Sequence, residues 1–166
     1  MKRNFLLLIL VCFYSFAVGA QDEPSKMDSL IFFIGKWQGE GAFANGKKIQ
    51  AKAEFTMTLD SSWIHYQHTD MAPGKYKAAS MWGIDGTSGN FIAAVFDNFH
   101  GYRIFESGGW INNRLILTAI SRSNNNLIFQ HFIYEKLSAD SFKMTFEVSR
   151  DAVNWTLGDW LVFKRL

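Results

Sequence analysis

From Lys48 to Leu59 the chain alternates without interruption. Ile49, Ala51, Ala53, Phe55, Met57 and Leu59 fall on one side, and Lys48, Gln50, Lys52, Glu54, Thr56 and Thr58 on the other. A period of two sends successive side chains to opposite faces, so this segment predicts a half-buried strand. Phe142 to Ser149 repeats the pattern, with Phe142, Met144, Phe146 and Val148 set against Lys143, Thr145, Glu147 and Ser149. Further strands are expected at Lys36 to Phe43, Trp63 to Met71, Ala79 to Ile84, Phe91 to Asp97, Tyr102 to Ser107, Leu115 to Ser121, Leu127 to Leu137 and Trp155 to Arg165. Turn chemistry separates them: Asn45-Gly46, Asp60-Ser61, Pro73-Gly74, Asp85-Gly86, Gly108-Gly109, the Asn124 to Asn126 run and Asp140-Ser141. Ahead of the strands, Ser25 and Asp28 resemble a capping pair for one short helix, Lys26 to Ile34. About ten strands with short connections, and no helix-length amphipathic segment between them, predict a single all-β, antiparallel up-and-down domain and exclude a parallel α/β fold.

Met1 to Ala20 follow a different logic. Lys2-Arg3, the apolar run Phe5 to Phe13 and the small residues Val18-Gly19-Ala20 have the layout of a cleavable secretory signal peptide. The run is shorter than the roughly 20 residues that span a bilayer, so no stable membrane insertion is expected. Cys12 follows Val11 and sits too early for a lipidation signal. Residues 1–20 are therefore expected to be removed and 21–166 to form one periplasmic or secreted domain. Cys12 is the only cysteine, so that domain must be held by its core rather than by disulfides. Loss of Lys2 and Arg3 with the leader balances the basic residues against the 15 acidic ones. A neutral chain without basic clusters has no electrostatic footprint for nucleic acid. Oligomeric state is left open.

Gly35-Lys36-Trp37-Gln38-Gly39-Glu40-Gly41, placed just after the short helix, carries a Gly-x-Trp signal. With the strands behind it, this opening resembles the calycin superfamily of lipocalins and fatty-acid-binding proteins. Leu30 to Gly41 is similar to the start of bacterial lipocalin-like domains and, more distantly, of the haem-binding nitrobindins. The resemblance implies a closed calycin-like barrel in which Trp37 seals the narrow end and a basic residue of the last strand, Arg165 or Lys164, packs over its indole. Gly35, Gly39 and Gly41 would be structural, the latter two permitting the strong coiling of a first strand. Nitrobindins take their axial histidine from near the chain end, and here no histidine follows His131. Haem is disfavoured and no cofactor is expected.

Candidate chemistry is sparse. His65 and His68, three apart on one strand, point to opposite faces and cannot chelate together, and the histidines read as surface or rim residues, so no metal site is expected. No serine stands in a nucleophile elbow. Asp97 and Asp159 read as solvated strand ends, with burial beside a cavity as the alternative. Ser149-Arg150-Asp151 reads as a hairpin. Aromatics are in surplus, with 16 Phe, 6 Trp and 5 Tyr, and they fit either a ligand-lined cavity or a packed core with an outer girdle. Candidate lining residues are Tyr66, Trp82, Phe96, Tyr102, Phe132, His131 and Trp160, with Trp63, Phe105 and Tyr134 beside them. His131 shares a face with Leu127, Phe129 and Ile133, but the opposite face is also apolar and the facing of that strand stays open. The expected function is binding of a small apolar or amphipathic molecule without catalysis. The alternatives are an enzyme using Asp97, His131 or Glu106 as acid or base in the same cavity, and a solid interaction module.

Overall fold

The computed structural model describes residues 26–123 and 126–166; the expected leader, the cleavage position and the Ser25 cap lie outside the described residues. A 3₁₀ helix, Lys26–Phe33, precedes β1 (Gly35–Phe43), β2 (Lys48–Thr58), β3 (Trp63–Asp70), β4 (Lys77–Ile84), β5 (Phe91–Asp97) and β6 (Tyr102–Ser107). After these come a two-residue strand β7 (Trp110–Ile111), β8 (Arg114–Ser123), β9 (Asn126–Ser138), β10 (Ser141–Ser149) and β11 (Trp155–Arg165). The long strands pair antiparallel with their sequence neighbours, β1 pairs with β11, and β6 meets β8. This closes a ten-strand up-and-down barrel, with β7 as a flap on β8 that the sequence pattern does not reveal. The β6–β8 seam is thin, registered only at Glu106 and Thr118.

The alternation in β2 reads directly onto the fold: Ile49, Ala51, Ala53 and Phe55 are buried. Leu59 departs from it. The strand ends at Thr58, Leu59 adopts a positive φ in the turn, and its side chain is 63% exposed.

The end of the barrel nearest the 3₁₀ helix is a solid aromatic plug. Phe33 is fully buried at its centre, with ring centroids of Phe55 at 5.2 Å, Phe142 at 5.3 Å and Trp82 at 5.4 Å. Trp37 is 0% exposed, its indole Nε1 donates to the Phe33 carbonyl at 2.7 Å, and the Arg165 guanidinium lies 4.1 Å above its ring. Arg165 also donates to the carbonyls of Ile34 and Phe32 at 2.6 and 2.9 Å, so it ties the helix to the last strand. Lys164, one residue earlier, points outward. Gly39 and Gly41 have a closer reason than coiling: a Cβ at Gly39 would sit 2.6 Å from the Phe163 ring, and one at Gly41 would strike the Trp160 carbonyl.

Between β10 and β11 the register shifts after Phe146, which pairs with Asp159, while Glu147 pairs with Leu157. Gly158 is the extra residue of this β-bulge, a device that re-aims side chains beside functional sites. Among the described residues, no helix is long and apolar enough to cross a membrane.

Candidate functional site

Above the plug the barrel is hollow. A cavity of about 340 Å³ occupies the half towards the β1–β2, β3–β4 and β5–β6 connections, within the size range of small-molecule pockets. Tyr66, Trp82 and Tyr134 line it over the plug, Ala93, Val95, Phe105, Leu117 and Phe132 form apolar walls, and Phe43, Phe146, Tyr76 and Phe99 stand towards the mouth. The rings of Tyr76 and Phe99 stack there at 6.2 Å.

Strand β3 supplies the polar element. Its inward row runs Ile64, Tyr66, His68 and Asp70, because alternate residues share a face. The Tyr66 hydroxyl lies 3.0 Å from His68 Nδ1, and His68 Nε2 lies 3.0 Å from Asp70 Oδ1. His68 thus bridges the two groups, its Nε2 side facing the Asp70 carboxylate and its Nδ1 side the Tyr66 hydroxyl. His68 is 5% exposed, so this side chain is a buried relay member rather than the surface or rim histidine expected. Burial holds the Tyr66 and Tyr134 hydroxyls protonated, well above the ordinary tyrosine range.

Asp159 enters the same cavity from β11. Burial pushes its carboxyl up to about 6, with His68 opposing the shift and Asp70 adding to it. Arg103 also lines the cavity, engaged through its two terminal nitrogens while its buried Nε has no partner. It pairs with Asp97 and donates to Gln130 Oε1 at 2.9 Å, and Gln130 in turn donates to Ser121 at 2.9 Å. Asp97 further accepts the Phe99 and Gly101 amides at 2.9 Å and so fixes the β5–β6 loop. No three His, Cys, Asp or Glu side chains converge as a metal shell among the described residues.

Tyr66, Trp82 and Phe132 of the expected lining meet in the cavity, as do Phe105 and Tyr134. Four others do not. Phe96 and Tyr102 are 53% and 62% exposed and pack on each other outside, with centroids 4.9 Å apart. Trp160 lies on the outer face between inward Asp159 and Leu161, where Lys143 covers its ring. His131 is also outside, because β9 turns Gln130, Phe132 and Tyr134 inward; its ring stacks on Trp155 at 3.5 Å and bonds Glu147 at 3.1 Å. Trp63 likewise covers Gly83 from outside. An acid–base role for Asp97, Glu106 or His131 in the cavity has no geometric basis, since the first is locked in an ion pair and the other two face away. The expected hairpin at Ser149-Arg150-Asp151 is present, with Asp151 accepting the Val153 and Asn154 amides at 2.9 and 2.7 Å.

Sequence reasoning missed His68, Asp70, Tyr76 and Arg103. A signal existed for the first two: counting in twos from Ile64 and Tyr66 places both on the inward face. Comparison with models of known families finds none that matches the chain, and comparison with curated proteins finds no match.

Proposed function

We propose that the protein is a lipocalin-like carrier that holds one small, largely apolar molecule in the open half of its barrel. The observation that carries this reading is the 340 Å³ cavity, apolar along its walls and polar at one end, set above a plug that does not need that space for packing. An apolar body would displace weakly held water from the walls, while a polar head would meet the Tyr66–His68–Asp70 chain and Asp159. N-Phenyl-1-naphthylamine, a neutral fluorescent probe of suitable size, should bind at about one per chain with micromolar affinity, roughly −8 kcal/mol. Val95→Phe, which fills the cavity from its wall, should weaken binding at least about tenfold while shifting stability by less than about 1 kcal/mol, because a void accepts volume that a packed core refuses. Phe96→Trp on the outer face should change neither. Absence of probe binding, together with a Val95→Phe protein destabilised by several kcal/mol, would mean that the barrel has no usable interior.

A second reading, proton transfer on the bound molecule, is favoured by the carboxyl at Asp159 poised near neutrality opposite a Tyr–His–Asp chain. A molecule co-purified from the native source should then acquire deuterium in D₂O in the presence of the protein but not of Asp159→Asn. Equal exchange with and without protein would remove this reading.

A further inference from the structure

Lys75, Arg103, Asp70 and Asp159 all line the cavity, and they are not engaged alike. Arg103 pairs with Asp97 and donates to Gln130, with only its buried Nε left without a partner, and Lys75 lines the cavity from an exposed position on the β3–β4 connection. Of the two acids, Asp70 contacts His68 Nε2 at 3.0 Å, whereas no side chain among the described residues stands within hydrogen-bond or ion-pair distance of the Asp159 carboxylate, on which His68 acts only from farther off. Two carboxylates thus stand at one end of the cavity, and one of them, Asp159, has no ion-pair partner in contact.

The surroundings of Asp159 add a second observation. Its ladder neighbours are Phe43 on β1 and Phe146 on β10, and both of these rings line the cavity with it. Tyr76 and Phe99 complete an aromatic mouth. Ring faces attract cations, and a carboxylate among them supplies a charge-assisted hydrogen bond to an N–H donor. A fatty acid would bring a third carboxylate to this end. An alcohol would satisfy one lone pair and leave the charge unpaired.

We infer that the molecule this cavity takes is a cationic amphiphile, an alkylamine or arylalkylamine whose ammonium group meets Asp159 among the mouth rings while its hydrocarbon body lies against Ala93, Phe105 and Leu117. The inference rests on the binding reading above and specifies its head group. Asp159 is in this account the specificity-determining residue, with Asp70 adding attraction while held by His68.

Displacement of N-phenyl-1-naphthylamine by octylamine, octanol and octanoate, matched in chain length, tests it on the intact protein. Octylamine should bind at least about tenfold more tightly than octanol, and octanoate most weakly, since a charge-assisted bond is stronger than a neutral one. Asp159→Asn should abolish the amine preference, bringing octylamine to the affinity of octanol. Equal affinity for amine and alcohol, a preference for octanoate, or an amine preference that survives Asp159→Asn would overturn the assignment while leaving a binding cavity in place. Failure of the probe and all three compounds to bind would remove the cavity reading and this inference together. The comparison of the three compounds stands on the unsubstituted protein alone, so it does not depend on the variant folding.

Discussion

Replacing Asp159 by asparagine should stabilise the protein at neutral pH and leave its stability almost unchanged in acid. The carboxyl is pushed from 3.8 up to about 6, chiefly by burial, so around pH 5 the native state holds a proton that the unfolded chain has released. The stability contributed by this group is fully present below about pH 4 and is lost as pH rises through about 6. A shift of about two pKa units corresponds to roughly 3 kcal/mol. The side chain keeps some contact with solvent, which screens the charge and brings the expected effect to about 1–3 kcal/mol. Asparagine keeps the shape and removes the charge. Urea melts of both proteins across about pH 4 to 8 should give a difference near zero at the acid end, rising to about 1–3 kcal/mol in favour of asparagine by pH 7. Using the difference removes most of the shared titration of the other carboxylates and histidines. A difference that stays flat with pH, or an asparagine variant less stable at pH 7, would refute the claim that a desolvated, uncompensated carboxylate sits in the cavity.

Trp37→Ala should cost about 3–5 kcal/mol in denaturant melts, as large aromatic truncations in packed cores do, and a loss below about 1 kcal/mol would show that the plug does not depend on it. Arg165→Ala should also destabilise, because it removes the cation over the indole and leaves the Phe32 and Ile34 carbonyls without their donor; a melt unchanged within error would contradict the tie between helix and last strand. Export with cleavage between Ala20 and Gln21 should appear as an intact mass beginning at Gln21 in material secreted by a bacterial host, and recovery of the full-length chain from membranes would count against the leader.

The fold was legible where the two faces of a strand differ in chemistry. In β2 every inward position is apolar and nearly every outward one is polar, so parity alone assigns the faces. The closed end was legible for another reason, since Gly-x-Trp combines a fully buried indole with close backbone approach. The cavity lining was only partly legible. In β5 the run Phe91 to Phe96 is apolar on both parities, and the tertiary structure turns the small side chains Ala93 and Val95 towards the hollow while leaving Phe96 outside. Large aromatics attract attention in a sequence, yet a void must be walled partly by small ones. In β11 the bulge at Gly158 breaks the count, so no simple alternation carries from Trp155 to Asp159. His131 stayed ambiguous because both faces of β9 are apolar, and the choice is made by its neighbours, with Gln130 needed inside by Arg103 and His131 stacked outside on Trp155.

The separation of plug from hollow makes the two ends of the barrel respond differently to substitution. Phe33, Trp37, Phe55 and Phe142 concentrate the packing at one end of the barrel, and Val95, Phe105, Leu117 and Phe132 shape the space nearer the other. Enlarging a side chain beside the hollow therefore alters its shape at less cost than the same change inside the plug, because a void accepts volume that packed rings refuse. Under the binding function proposed above, a few such changes would alter which molecule fits. The opening Gly-x-Trp segment, fixed in the plug by a fully buried indole, would hold the barrel closed through all of them.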